Sequence, residues 1–466
     1  MESRMKLNMF DDYWIDFRRN TDRRWFSPEI LSIVPKGAYC SLIYDDSLKK
    51  YRMFYEVLID YRKDGPRDLY LMESDDLINF SEPELVYHGE SGVHGATVMY
   101  DALDPDPSRR YKFCGMTRMG REDENICAAN VCNLEVEIAF SPDGRNWTCD
   151  HKHIANEHTS DSLNKLFYNP IFEEYTLLHR SAFVDRRISA RSSKDMENWS
   201  DAHIILQPSP IYNDGYTGMQ QYGMTARYFD GIFYGLVWMY KTGLYNNDYS
   251  RMYGYMEPEL VYSYDGREFL HTTGKNIIER PMPPMPGCTG LSPNDICESA
   301  DGKWYYILCG GANHVHATEA DNARLIEKLA EHDIKGGNLI YRIRRDGFCG
   351  IESVSYGGEV ITKPIELLKD DLSVNVRANV GFVRFGIMKK DGTFLPGFSY
   401  DDCIPFEFDD GLDVKPQWKE HELKEVLGQQ VRVAVELNTA ILHCIQGTAR
   451  PHLRQSQKSF AEPWGI

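Results

Sequence analysis

The sequence predicts an all-β chain: a five-bladed β-propeller followed by a C-terminal β-sandwich. Three observations carry that expectation. One short turn recurs four times, aromatic-apolar runs come in pairs between the turns, and the texture changes after Gly347. Composition agrees, because 12% aromatic residues, with 29 Tyr and 8 Trp in 466, favour strands.

The recurrent turns are SDDLINF (74–80), SPDGRNW (141–147), SKDMENW (193–199) and SYDGREF (263–269), spaced by 67, 52 and 70 residues. Each has Ser, then Asp two residues on, then an aromatic in seventh place. A strand-like run precedes each: DLYLME, VEIAF, RISARS, ELVYSY. The form is a β-hairpin whose Asp and Gly or Asn take the turn. Between these hairpins lies a two-strand unit, present five times: 39–56, 95–117, 163–180, 222–240 and 294–311. Two strands from the unit and two from the hairpin make the four of a propeller blade. The fifth copy lacks a clear hairpin. It carries a helical stretch at 317–333 and then NLIYRIRRDGF as a closing strand pair. The expected division is therefore a propeller over 1–345, a β-sandwich over 346–450 and an extended tail over 451–466. Short alternating strands and tight turns such as KKDG support the sandwich.

A formal net charge of -18 argues against nucleic acid, which needs clustered Lys and Arg. The pairs Arg18-Arg19 and Arg23-Arg24 sit among acids and read as a solvated, ion-paired surface. No apolar run approaches membrane-spanning length, so no membrane partner is expected. MESRMKLNMF shows no secretory h-region. Eleven scattered Cys without zinc-spaced pairs fit reduced thiols and a cytoplasmic location. HKH (151–153) and HVH (314–316) are the nearest approach to a metal pattern, and they read as loop or surface histidines. Neither metal nor cofactor is expected. Sheet edges and the tail from Arg450 are candidate homo-oligomer surfaces.

Several stretches carry a family resemblance: DDYWID (11–16), HGATVMYDALDPDPSRRYKF (94–113), QYGMTARYFDGIFYGLVWMY (221–240), RRDGF (344–348) and GGEVITKPI through PGFSYDDC (357–403). With five blades and a sandwich, the chain resembles glycoside hydrolase family 32 and its relatives, families 43 and 68, over nearly its whole length. The resemblance implies a glycosidase acting on a furanoside-type or related oligosaccharide. The chain departs from family 32 in lacking the WMNDPNG-like, RDP and EC motifs, so the family's catalytic acids do not carry over. Blade one opens on PKGAYCSLIY, with no acid before the strand. The hairpins also resemble the Asp boxes of sialidases, whose arginine-containing opening motif is not visible here.

Candidate residues follow from propeller geometry, since loops on a rigid scaffold concentrate function. The start of each inner strand and the end of the next open on one face. Glycoside cleavage needs two carboxyl groups, one to protonate the leaving oxygen and one to attack or to activate water. The candidates are Asp161, a lone acid in a polar entrance; Glu56, in the aromatic setting MFYE; and Asp295, at the fifth entrance. Glu56 reads equally as half of a salt bridge. His94, Arg118, His179, Arg180, Gln221 and Tyr222 are candidate substrate binders, Arg because its planar fork suits vicinal oxygens or a carboxylate. Two other readings stay open, a phosphorylase or transglycosylase on the same scaffold and a sugar-binding propeller without catalysis.

Overall fold

The computed structural model describes residues 4–34, 37–58, 67–88, 93–117, 135–156, 160–180, 186–206, 220–242, 254–312, 319–331, 336–354 and 357–451. Two compact units emerge. One comprises residues 27–229 and 233–343, the other residues 1–26, 230–232 and 344–466.

The first unit holds five four-stranded antiparallel sheets. Blade 1 is Ala38–Asp45, Lys50–Leu58, Arg67–Ser74 and Glu84–Tyr87. Blade 2 is Val93–Tyr100, Tyr111–Thr117, Val136–Ser141 and Ile154–Asn156. Blade 3 is Lys165–Asn169, Glu174–Arg180, Ile188–Ser193 and His203–Ile204. Blade 4 is Gln220–Phe229, Ile232–Thr242, Gly254–Ser263 and Leu270–Asn276. Blade 5 is Leu291–Glu298, Trp304–Gly311 and Gly337–Arg344, with Glu29–Val34 as its outermost strand. The first strands of successive blades neighbour one another in a closed ring of five. This is the expected propeller. Its closure differs from the sequence reading, because the last strand comes from the N-terminal side rather than from the segment after Arg344. A helix, Glu319–Ala330, enters blade 5 where the helical stretch was expected.

The four repeated turns are one structure. Each Ser ends the third strand of its blade. Its hydroxyl donates to the Asp carboxylate at 2.9–3.1 Å and accepts the N–H of the fourth turn residue at 2.8–2.9 Å. That fourth residue has positive φ every time: Leu77, Gly144, Met196 and Gly266. Leu77 and Met196 adopt a conformation that favours glycine, and both are buried. The turns also stitch blades together. The turn of blade 2 receives Arg52 of blade 1, whose Nη1 donates to the Asp143 carbonyl at 2.7 Å. The turn of blade 4 receives Asn169 of blade 3, whose Nδ2 donates to the Asp265 carbonyl at 2.7 Å. In blade 5 a related turn, Ser299 with Asp301, joins the first strand to the second instead.

The second unit is a twelve-stranded sheet. Ile365–Leu367 pairs on one side with Gln430–Asn438 and on the other with Ala440–Pro451. The expected sandwich is present as a sheet that curls over at this short strand. The first 26 residues, expected within the propeller, belong here. Arg4–Asn8 pairs with Ala440–Pro451 in the register Arg4↔Thr448, and Ile15–Arg19 pairs with Gly358–Thr362. Burial of Met5, Leu7 and Met9 drives this assignment. Lys6 goes in with them because Asp346 meets its ammonium at 3.0 Å.

All nine cysteines among the described residues are free thiols. No helix among them is long and apolar enough to cross a membrane.

Candidate functional site

Three of the five inner strands or their partners carry a register shift near the end where the inner strands begin: Ala38/Ser41, Cys114/Met116 opposite His94, and Pro293/Asp295. Bulges re-aim side chains, and here they turn several toward one mouth. Tyr39, at positive φ, meets His94 edge-on at 5.0 Å and stacks on Trp238 at 5.9 Å. Trp238 stacks on Tyr222 at 6.3 Å, with the rings 4° from parallel, and its indole N–H donates to the Pro293 carbonyl.

Beside these rings runs a chain of charged contacts. Glu56 Oε1 lies 3.3 Å from His94 Nδ1, and Glu56 Oε2 accepts the Ala96 N–H at 3.5 Å. His94 Nε2 lies 2.9 Å from Asp161 Oδ1. Arg180 Nη2 donates to Asp161 Oδ2 at 3.2 Å. Glu56 is 1% exposed and His94 7%, whereas the Asp161 side chain is 50% exposed. One carboxylate is therefore sealed behind the imidazole and the other faces solvent.

Local backbone chemistry sets this geometry. Asn164 fastens the segment 160–164 to blade 2: its N–H donates to the Gly95 carbonyl at 2.8 Å, and its Nδ2 reaches the carbonyls of Gly95, Ser160 and Ser162. Thr97 Oγ1 closes the seam onto the Asn164 carbonyl at 2.6 Å. Gly95 has φ +62°, and a Cβ there would stand 2.0 Å from the Ser162 carbonyl oxygen. Only glycine lets Asp161 approach His94 this closely.

Arg180 lies over the Tyr222 ring at 4.8 Å, and Arg186 lies over the same ring at 5.0 Å. Arg186 also donates to Gln220 Oε1 at 2.6 Å. Burial lowers the pKa of Arg186, and the neighbouring Arg180 charge acts in the same direction. Two guanidinium groups beside one ring form a region that attracts anions or electron-rich hydroxyls.

Five of the nine sequence candidates meet at this mouth: Asp161, Glu56, His94, Arg180 and Tyr222. Arg118 lies outside the described residues. Gln221 is a tie between blades: its Oε1 accepts the Ile188 N–H at 3.2 Å and its own N–H donates to the Arg186 carbonyl at 3.0 Å. His179 is buried behind Arg180, and desolvation pushes its pKa down to about 4, so it stays neutral near pH 7. Asp295 is set apart. Its strand begins at Leu291, which places Asp295 mid-strand and fully buried. Lys165 Nζ meets its Oδ1 at 2.7 Å, while the backbone N–H groups of Leu42 and Ile296 donate to it at 3.0 and 2.9 Å. It joins blades 1, 3 and 5 at the axis. At the far ends of the inner strands a separate cleft of about 590 Å³ is lined by Tyr44, Tyr100, Tyr168, Arg227 and Glu298 among others.

The sequence reading missed Tyr39, Trp238 and Arg186. Tyr39 stands where an acid was sought and not found. Arg186 lies just ahead of the third strand of blade 3, whereas the sequence candidates come from the starts of first strands and the ends of second strands. Trp238 lies within the aromatic-apolar run 222–240, which serves the sequence reading to place a blade.

No protein-family model matches the chain, and no curated protein matches it. Among solved structures, it is similar to a family 32 β-fructofuranosidase of Bombyx mori, with 12% identity and TM-score 0.41 over 93% of this chain and 94% of that one. A thermostable family-43 glycoside hydrolase gives 12% identity and TM-score 0.44 over 69% and 96%. An endo-arabinase from Bacteroides thetaiotaomicron gives 11% identity and TM-score 0.41 over 69% and 97%.

Proposed function

We propose that this chain is a glycosidase that cleaves a furanoside-type or related oligosaccharide at the propeller mouth. The observation that carries the reading is Asp161, facing solvent beside an aromatic platform, with one oxygen on an imidazole and the other on a guanidinium. Buried Trp238 holds Tyr39 and Tyr222 in place, and these two partly exposed rings line the mouth for a sugar, while Arg180 and Arg186 offer donors to its oxygens.

The proton inventory defines the chemistry. Each ring nitrogen of His94 faces a carboxylate oxygen, so two contacts take two protons. One lies between Glu56 and Nδ1. The other lies between Nε2 and Asp161 and is the one solvent and substrate reach. That proton passes to the leaving oxygen as the glycosidic bond breaks. Water then adds to the anomeric carbon and returns a proton to the Asp161–His94 pair. Glu56 acts through the imidazole, holding its orientation and stabilising its charged form. Asp295 has no place in this reading, because its carboxylate is committed to Lys165 and two backbone donors.

The paired Arg180 and Arg186 support one runner-up, phosphorolysis, in which phosphate replaces water as the attacking group. A screen of aryl furanosides, fructans and difructose-type sugars, with and without inorganic phosphate, separates the two. Turnover without phosphate, abolished in Asp161→Asn, is the expected result. Turnover only with phosphate selects the runner-up. An unimpaired Asp161→Asn removes Asp161 from the chemistry.

A further inference from the structure

Away from the mouth, the outer hairpin of blade 2 brings three unlike ligand groups together. Glu137 lies on the third strand, and Cys149 and His151 lie on the loop leading to the fourth. Cys149 Sγ is 3.5 Å from Glu137 Oε2 and 3.7 Å from His151 Nδ1, and His151 Nδ1 is 3.2 Å from Glu137 Oε1.

We infer that Glu137, Cys149 and His151 form a binding site for a borderline-soft divalent cation, Zn²⁺ in particular, which clasps the outer hairpin of blade 2. The separations carry the argument. With Zn–N and Zn–O bonds of about 2.0 Å and a Zn–S bond of about 2.3 Å, the edges of a tetrahedron are about 3.3 Å between N and O and about 3.5 Å from S to either. The 3.7 Å between sulfur and nitrogen lies within about 0.2 Å of its edge; the carboxylate offers Oε1 to His151 at 3.2 Å and Oε2 to Cys149 at 3.5 Å, so a small turn of the Glu137 carboxylate brings one oxygen to the ion. One ion thus reaches all three groups with little rearrangement.

The donor set chooses the metal. Thiolate and imidazole exclude Ca²⁺ and Mg²⁺, which take oxygen ligands, and favour Zn²⁺ among the available divalent ions. One thiolate, one carboxylate and one neutral imidazole carry two negative charges, which a divalent ion neutralises. Cys149 and His151 are only partly buried, so solvent can supply a fourth ligand. His151 sits at φ +58°, a left-handed turn position where His is tolerated. His153, its partner in the HKH pattern, faces Asp150 at 2.8 Å and Phe140 instead, so the two histidines are not a joint clasp. The role fits the local structure, because the fourth strand of this blade has only three residues and gains an anchor from the metal. This inference stands independently of the chemistry at the mouth.

The test is a Co²⁺ titration of the full chain, stripped with chelator beforehand, followed by Zn²⁺ competition and thermal unfolding. The expected result is one equivalent bound, a thiolate-to-cobalt charge-transfer band, and a higher Tm with Zn²⁺ but not with Ca²⁺. Cys149→Ser removes the band, whereas Cys288→Ser at another partly exposed thiol keeps it. His151→Gln keeps the thiol and weakens binding by at least about tenfold. No stoichiometric uptake by the wild type overturns the inference whatever the variants do. So does a band that survives in folded Cys149→Ser.

Discussion

At the rim of the propeller one turn is built four times from Ser, Asp and a left-handed fourth residue. The mouth is built from unlike parts: an aromatic from blade 1, an imidazole from blade 2, a carboxylate ahead of blade 3, and guanidinium groups beside a blade 4 ring. The rim residues bond mostly within their own hairpin, and the mouth residues bond mostly between blades. The difference teaches how to read such a chain. Repeated residues report the scaffold, because every blade must solve the same turn. Residues at equivalent places that differ from blade to blade are free to carry chemistry.

The comparison is broken most directly at Asp161. Asp161→Asn should lower kcat by roughly 100- to 10,000-fold, the usual worth of a positioned proton donor, with Tm almost unchanged because the side chain is half exposed. Steady-state kinetics beside a thermal melt checks both halves. A large loss of Tm would make Asp161 a structural residue like those of the rim. The converse variant is Arg52→Met. Arg52 is fully buried, donates to the Asp143 carbonyl and pairs with Glu73 at 3.1 Å. Losing these charged hydrogen bonds should destabilise the chain by about 2–4 kcal/mol, with kcat per folded molecule unchanged. Denaturant unfolding and an active-site-normalised assay decide it.

The rim was legible in the sequence because its chemistry is local. Ser74, Asp76 and Asn79 satisfy one another within six residues, and any such turn announces itself. Asp161, His94 and Arg180 were legible at one remove, since counting blades placed them at equivalent ends of neighbouring strands. What stayed hidden depends on distant partners. Glu29–Val34 closes blade 5 by pairing with Gly337–Arg344, and nothing near residue 29 signals a partner 300 residues on. Asp295 looked like an entrance acid because its strand starts at Leu291, three residues earlier than expected, and Lys165, which neutralises it, lies on another blade. Tyr39 was passed over because its role comes from a bulge and a positive φ, and neither is visible in the letters GAYC.

The two regions also separate by pH. At the rim, Asp76 and Asp195 accept backbone N–H bonds from Asn79 and Asn198, which hold their carboxyls well below the ordinary carboxylate range. A folded-state pKa below the unfolded value of about 4 gives stability that is complete above that pH and fades only below it. His179, behind the mouth, is depressed to about 4 by burial, against about 6.5 unfolded. Between these values the unfolded chain takes up a proton that the folded chain refuses, so stability falls as pH drops from about 6.5 toward 4, by about 1.4 kcal/mol per unit crossed. Thermal melts from pH 7 to 3 should therefore decline in two stages. His443, also buried, is depressed to about 4 in the same way, so His179→Gln should reduce the upper stage by about half and leave the lower one in place. Asp76→Asn combined with Asp195→Asn should soften only the lower stage. If His179→Gln leaves the slope between pH 6.5 and 4.5 unchanged, the imidazole behind Arg180 is not held neutral, and the mouth rests on a different charge state from the one argued here.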